Sequence, residues 1–253
     1  MENTENLIDA VVILGKKVDT DRAKKIAKDF AVPLVDDIPK DRDSKYFIID
    51  KTGISFVSGE KTLKGDFSLM LKRVSGGHLA HEIILKAAKP EKDERAVDFT
   101  AGLGEDSFIL AAAGYRVEMY EHNPITAVLL KDALIRAKKD PKLKEIAERM
   151  TLSQGDSKEL ISKIGYLPDL IYLDPMFPEK KKNAETKNKM QVLHTIEKPC
   201  EDEDELMQAA FSAKPKKIVV KRPPESSFLA GIEPTYSVER KAVRYDVYAV
   251  RAE

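Results

Sequence analysis

The loop Asp174-Pro175-Met176-Phe177-Pro178, which directly follows an apolar run, is the part of the sequence best suited to chemistry on an amine. Its two prolines restrict the backbone and remove N–H donors, so the loop presents mainly acceptors. The Asp174 carboxylate and the Pro175 carbonyl could each accept a hydrogen bond from an –NH2 group and so orient the nitrogen lone pair. The Phe177 ring could stack on the base that carries the amine. These three residues are the candidate catalytic residues, and the structural alternative is a proline turn with Phe177 in the core.

A second motif runs from Asp98 to Gly104, after an apolar run and before a predicted helix. Gly102 and Gly104 would allow positive φ and a close approach of the backbone to a ligand. The third glycine of a dinucleotide fingerprint is replaced by Ser107, and a carboxylate at Asp98 would repel a pyrophosphate. It suits a cationic group instead, and S-adenosylmethionine carries an ammonium and a sulfonium but no phosphate. The motif favours this cofactor over a dinucleotide, although two glycines alone are weak support.

Acidic residues also follow the next two predicted strands. Glu121 could accept hydrogen bonds from ribose hydroxyls, and Asp156, with Ser157 beside it, could accept one from an adenine amine. Taken singly, Glu121 could be a solvated acid and Asp156 a helix N-cap. Acids at three consecutive strand ends, counting Asp98, are much more specific than any one of them.

Basic residues cluster near the proline loop and at the end of the fifth predicted strand. They are Lys180, Lys181, Lys182, Lys221 and Arg222. The carboxyl ends of strands four and five share one rim of a doubly wound sheet, so these residues are candidate phosphate contacts for RNA. The alternative is that the lysines are solvated, and the formal net charge of +0 gives RNA binding no support. The acidic run at residues 201–205 would have to lie away from this rim.

From about residue 94 onward, strands alternate with helices, which predicts an α/β fold with a doubly wound, mostly parallel sheet. The predicted strands cover residues 96–99, 116–120, 151–153, 170–173 and 217–220. One predicted helix ends at residue 113, and a second spans residues 124–138. Residues 237–239 and 245–250 are predicted to form an antiparallel hairpin. The first part of the chain predicts a strand at 10–14, a helix from 19 or 20 to 29, and a hairpin of 46–50 with 54–57. We therefore expect a small N-terminal α+β domain at residues 1–75 and the main domain at residues 76–253.

Several classes of protein are disfavoured by composition. Cys200 is the only cysteine, so no disulfide can form within the chain, and no Cys/His cluster predicts a metal site. The sequence contains no run of about 18 apolar residues and no signal-peptide pattern, so we expect a cytoplasmic protein without a membrane partner.

Four blocks of sequence resemble a known family. They are residues 98–104, 172–178, 219–223 and 244–248. The proline loop looks like the Asp/Asn-Pro-Pro-aromatic motif of amino-directed methyltransferases, with Met176 in place of the second proline. Together the blocks resemble the bacterial 16S ribosomal RNA guanine exocyclic-amine methyltransferases called RsmJ. The likeness extends from about Gly76 to the C terminus and is looser over the first 70 or so residues.

This resemblance implies a class I methyltransferase fold, which is Rossmann-like with a seven-stranded sheet and a C-terminal antiparallel hairpin. It implies methyl transfer from S-adenosylmethionine to the exocyclic amine of a guanosine in 16S ribosomal RNA or the small ribosomal subunit. The cofactor contacts it implies are Glu105, Asp106, Glu121, His122, Asp156, Ser157 and Asp174. The family usually has arginine at position 105 and often at 122, so contacts there would be weaker or made by the backbone.

Two other functions are compatible with the same residues. A methyltransferase of another amine, such as a protein glutamine or a small molecule, would have a similar proline loop. A non-enzymatic nucleic-acid-binding module with a decayed cofactor site would keep the fold without the activity. The joint presence of Asp98, Glu121, Asp156 and Asp174 argues against such decay.

Overall fold

The computed structural model describes residues 7–16, 18–176, 192–193, 195–196 and 200–251. The chain divides into two compact units, with Gly65 in the first and Asp66 in the second. This separation comes earlier than the boundary expected after residue 75. The reason is that Phe67 and Met70 are buried in the hydrophobic core of the second unit, which a short amphipathic segment does not reveal in sequence.

The first unit contains a five-stranded mixed sheet with a helix between the first two strands of the chain. Its strands are β1 (Ala10–Ile13), β2 (Leu34–Val35), β3 (Lys45–Asp50), β4 (Gly53–Ser58) and β5 (Lys61–Leu63), and its helix is α1 (Thr20–Asp29). The strand order is β2-β1-β3-β4-β5. Asp19 caps α1 by accepting a hydrogen bond from the Arg22 amide, as the sequence predicted. The predicted strand, helix and hairpin are confirmed, whereas β2 and β5 are too short to show a periodic pattern.

The second unit contains a seven-stranded sheet. Its strands are β6 (Arg95–Asp98), β7 (Arg116–Glu121), β8 (Met150–Gln154), β9 (Leu170–Leu173), β10 (Lys217–Arg222), β11 (Tyr236–Arg240) and β12 (Val243–Ala249). Their order is β11-β12-β10-β9-β6-β7-β8, and β12 runs antiparallel to both of its neighbours. The predicted parallel sheet and C-terminal hairpin are therefore confirmed.

Helices cover both faces of this sheet. They are α2 (Leu71–Val74), α3 (Ile83–Ala88), α4 (Glu105–Ala112), α5 (Pro124–Ala137), α6 (Lys144–Glu148), α7 (Ser157–Leu160) and α8 (Glu203–Ser212). Along β9, Leu170 and Tyr172 belong to one buried cluster, and Ile171 and Leu173 to another. A strand that alternates between two cores must be apolar throughout, which explains the uninterrupted hydrophobic run.

The strand order reverses between β6 and β9. The chain leaves β6 for β7 on one side of the sheet, whereas β9 continues into β10 on the other. In a doubly wound sheet this reversal opens a crevice beyond the carboxyl ends of the two strands, where ligands bind. The motifs that begin at Asp98 and Asp174 follow these two strands.

Gly104 permits the tight passage from β6 into α4. Its φ is +76°, and a Cβ added there would lie 2.8 Å from Leu130 Cδ1 and 3.2 Å from Phe67 Cζ. Both the backbone conformation and the packing therefore exclude a side chain. Gly77 has a similar φ of +83° but no heavy atom within 4 Å of an added Cβ.

We expect Gly104→Ala to lower the free energy of unfolding by about 2–4 kcal/mol, since it combines a left-handed conformation with overpacking. Gly77→Ala, the matched control, carries only the conformational cost and should lower it by about 1–2 kcal/mol. Urea denaturation of both variants and the wild type measures the difference. Equal losses would mean that the core around Leu130 adapts to the added methyl group.

Candidate active site at the carboxyl ends of the strands

Asp98, the last residue of β6, is a buried carboxylate that organises the glycine turn. Its side chain accepts hydrogen bonds from the Ser107 hydroxyl (2.6 Å) and from the Thr100 amide (3.0 Å), and the residue is only 2% exposed. Burial raises the pKa of Asp98 to about 7, although both hydrogen bonds favour the ionised form. Ionisation of this buried carboxylate therefore carries a desolvation penalty, which a cationic ligand beside the turn would offset.

Glu121 connects the glycine turn to the end of β7. Its carboxylate accepts hydrogen bonds from the amides of Gly102 (2.8 Å) and Asn123 (2.7 Å), and the residue is buried. The simpler interpretation of Glu121 as a solvated acid is therefore wrong. His122 differs, because its side chain is 71% exposed and its Nδ1 lies 3.6 Å from a Glu121 carboxylate oxygen.

Asp106 and Asp174 share a single ammonium group. Lys221 Nζ lies 2.8 Å from Asp106 Oδ2 and 2.9 Å from Asp174 Oδ2. The Tyr172 hydroxyl also donates to Asp106 Oδ2 (2.7 Å), and the Asp174 amide donates to Thr100 Oγ1 (2.6 Å). The acidic residue of the proline loop is thus joined to the first turn of α4 and to the turn after β6.

The electrostatics of this cluster follow from burial and from Lys221. Burial raises the pKa of Asp174, an effect that Lys221 opposes and Asp106 reinforces. For Asp106, Lys221 and the Tyr172 hydroxyl outweigh burial and lower the pKa. Although burial disfavours an ammonium, the two carboxylates raise the pKa of Lys221, so this lysine stays charged at neutral pH.

Asp156 follows β8 and is a helix N-cap, which is one of the two roles that the sequence allowed. Its side chain accepts a hydrogen bond from the Lys158 amide (2.8 Å) and caps α7, the helix that Ser157 begins. The Gly155 amide donates to the Glu121 carbonyl (2.9 Å), which holds this turn beside β7. The Asp156 carboxylate is partly exposed and could still accept a hydrogen bond from an adenine amine. Glu105, in the first turn of α4, is partly buried.

Two of the proposed RNA contacts have other partners. The Lys221 ammonium pairs with Asp106 and Asp174, so its charge is compensated inside the crevice. The Arg222 side chain is 3% exposed, donates to the Ser227 carbonyl and pairs with Glu203. Both cations are therefore paired with carboxylates of the chain, and their role as phosphate contacts stays a prediction.

The acidic run at residues 201–205 also lies elsewhere than expected. It leads into α8, where Glu203 accepts hydrogen bonds from Arg222 and from the Ala230 amide. Asp202 pairs with Lys158, which lies 3.6 Å from Asp156. Two residues of the run, Asp202 and Glu203, therefore pair with cations at the strand ends.

The proline loop is described only as far as Met176. Pro175 is buried, and the Met176 carbonyl accepts a hydrogen bond from the Cys200 amide (3.1 Å). The remaining predicted site residues, Phe177, Lys180, Lys181 and Lys182, lie outside the described residues.

Sequence analysis overlooked Thr100 and Tyr172 as parts of the site. The signal for Tyr172 was available, because it stands two residues before Asp174 and alternation along a strand places both on one side of the sheet. Thr100 was harder to identify, since its bond to the Asp174 amide joins segments that are distant in sequence. Among the described residues there is no cluster of His, Cys, Asp or Glu side chains able to hold a metal ion. No helix within the described ranges is long and apolar enough to cross a membrane.

The raised pKa of Asp98 makes stability depend on pH. Because the folded pKa of about 7 exceeds the ordinary 3.8, the contribution of Asp98 is fully present below about pH 4 and is lost as pH rises through 7. An asparagine side chain cannot ionise, so Asp98→Asn avoids this loss. In urea denaturation, the free energy of unfolding of the variant relative to that of the wild type should therefore increase from pH 5 to pH 8. Over this window the gain should be at most about 3 kcal/mol.

Asp202→Asn is the control for this experiment. Lys158 lowers the pKa of Asp202, so its titration falls below about pH 4. We therefore expect the difference between Asp202→Asn and the wild type to be the same at pH 5 and pH 8. If Asp98→Asn behaved in the same way, Asp98 would be ionised throughout this range.

Comparisons with known proteins agree with this geometry. Residues 52–250 match the family model described as "Putative SAM-dependent methyltransferase". The chain is 36% identical over 245 residues to ribosomal RNA small subunit methyltransferase J of Cellvibrio japonicus, covering 89% of this chain and 92% of that protein. It is 42% identical over 179 residues to the protein of the same name from Aeromonas hydrophila, covering 70% of this chain and 71% of that protein.

A solved structure shows the same similarity. The crystal structure of a SAM-dependent methyltransferase from Neisseria gonorrhoeae superposes with a TM-score of 0.74 at 30% sequence identity, covering 96% of this chain and 97% of that one. Fold, strand-end carboxylates and sequence therefore agree, and the resemblance drawn from the four sequence blocks is confirmed. The chain belongs to the SAM-dependent methyltransferase family of ribosomal RNA small subunit methyltransferase J.

Proposed function

We propose that this methyltransferase transfers a methyl group from S-adenosylmethionine to the exocyclic amine of a guanosine in 16S ribosomal RNA of the small subunit. The observation that carries the proposal is the position of Asp174. It directly follows β9 at the point where the strand order reverses, is followed by Pro175, and is held by Lys221 and Thr100. The relatives named ribosomal RNA small subunit methyltransferase J support small-subunit RNA as the substrate.

The residues of the crevice fit the cofactor. Asp98, whose burial is poorly compensated, suits the cationic amino-acid end, and Glu121 suits the ribose hydroxyls. Asp156 is the candidate acceptor for the adenine amine, with Ser157 beside it. When bound, S-adenosylmethionine supplies a methyl group already activated by the sulfonium.

Asp174 and the Pro175 carbonyl are proposed to accept hydrogen bonds from the two N–H groups of the guanine amine. The nitrogen lone pair then points out of this plane, toward the methyl group. As the new N–C bond forms and the S–C bond breaks, the nitrogen becomes cationic and sheds one proton, which the Asp174 carboxylate receives and passes to water. The chain supplies mainly alignment, which is worth several orders of magnitude in rate. Phe177 as the stacking residue and Lys180, Lys181 and Lys182 as phosphate contacts remain predictions.

Transfer of labelled methyl groups tests the proposal. The substrates are naked small-subunit RNA, intact small subunits and a protein control. We expect label in a guanine amine of the RNA or of the subunit. Label in the protein control alone would favour a protein amine as substrate. No label, together with no binding of S-adenosylmethionine in a titration, would favour the decayed-site alternative.

Asp174→Ala should lower kcat by about 100-fold or more, because it removes an acceptor that aligns the amine. Asp204→Ala, which removes an exposed carboxylate from the first turn of α8, is the control and should leave kcat unchanged. Single-turnover methylation of the preferred RNA substrate measures both variants. Wild-type turnover in Asp174→Ala would exclude the amine-orienting role.

A further inference from the structure

Among the described residues, Lys221 is the one basic residue that forms ion pairs with both Asp106 and Asp174. Its side chain is 31% exposed, and Nζ lies 2.8 and 2.9 Å from the two Oδ2 atoms. Parallel pairing of β10 with β9 sets Val220 beside Leu173, which brings the next residue of each segment together. This placement results from strand register and does not depend on a flexible loop.

Without Lys221, the surroundings of Asp174 would favour its protonated form. The groups that act electrostatically on it or on its partners are Asp98 of β6, Asp106 of α4, Tyr172 of β9, Lys221 of β10, Tyr245 of β12 and, through Asp106, Arg73 of α2. Burial and the Asp106 carboxylate raise the pKa of Asp174, and Lys221 opposes them by direct contact. A protonated carboxyl group could donate to the amine lone pair and block it.

The contact with Lys221 also restrains the orientation of the Asp174 carboxylate. Lys221 engages Asp174 Oδ2, while the Asp174 backbone amide is held by Thr100 Oγ1. With one oxygen and the backbone both restrained, Oδ1 is the oxygen left to face a substrate amine. Tyr172 restrains the other end of the network at Asp106.

We propose that Lys221 is a positioning residue for methyl transfer, which keeps Asp174 ionised and directs its second oxygen toward the substrate amine. The proposal rests on the proposed role of Asp174. It replaces the phosphate contact expected from sequence. The two roles predict different kinetics, because a phosphate contact acts on RNA affinity and its salt dependence, whereas a positioning residue acts on kcat and on its pH profile.

The test is Lys221→Met, with two readouts. In protein labelled with 13C at aspartate carboxyl carbons, NMR titration of Asp174, identified by the loss of its signal in Asp174→Asn, should show a midpoint at higher pH in the variant. The acidic limb of kcat should move in the same direction. At pH 6 we expect kcat to fall by about tenfold or more, with partial recovery at pH 9 and little change in KM for RNA.

Two further variants control the experiment. Lys221→Arg retains the charge and should keep the wild-type midpoint, which also guards against misfolding of Lys221→Met. Lys241→Met removes an exposed lysine from the turn after β11 and should change neither readout.

An unchanged Asp174 midpoint in Lys221→Met would overturn the inference, whatever the activity. So would an unchanged pH profile of kcat accompanied by a weaker salt dependence of RNA binding, which would restore the phosphate contact. If the wild type methylated no RNA, the proposed function would fail, and the NMR titration would still decide whether Lys221 keeps Asp174 ionised.

Discussion

Charge balance among the buried Asp98 and the partly buried Asp106 and Asp174 is the constraint on which the site depends. Asp106 and Asp174 raise the pKa of Asp98, and Asp106 also raises that of Asp174. Such a cluster is tolerable only if hydrogen bonds or cations compensate it. Lys221 compensates Asp106 and Asp174, whereas Asp98 is compensated, among the described residues, by the hydrogen bonds of Ser107 and Thr100. The protein thus keeps one carboxylate undercompensated where a cationic cofactor would bind.

Hydrogen bonds between the strand ends position the residues of the crevice, together with the strands themselves. Glu121 holds the Gly102 amide, the Gly155 amide holds the Glu121 carbonyl, and Thr100 holds the Asp174 amide. Each bond joins the loop after one strand to that after another. The four loops therefore form a connected layer, and a ligand that contacts one of them meets groups already positioned by the others.

Several cations near the strand ends form ion pairs with carboxylates of the chain itself. Lys158 pairs with Asp202, Arg222 with Glu203, and Lys221 with two aspartates. An overall charge of zero is consistent with such internal pairing. Under the proposed function, we expect RNA affinity to come from basic residues beyond these pairs, with the lysines after Pro178 as candidates, and from stacking on the base.

Local sequence determined the elements and the kind of chemistry. Alternating apolar runs and helix signals predicted β6 to β10 and the hairpin of β11 with β12, because a parallel sheet with two covered faces requires fully apolar strands. The turn around Gly102 and the proline loop indicated an amine-directed methyltransferase, since few functions need acids and acceptors at successive strand ends.

Tertiary structure decided which charges meet. Whether Lys221 faces RNA or Asp174, and whether Arg222 is exposed or buried beside Glu203, depends on strand register and on α8, whose contacts join residues far apart in the chain. The boundary at Gly65 likewise depends on Phe67 packing into the second core. A linear pattern shows that a residue stands at a strand end, but its partner is set by the neighbouring strand, because electrostatic energy depends on distances in space.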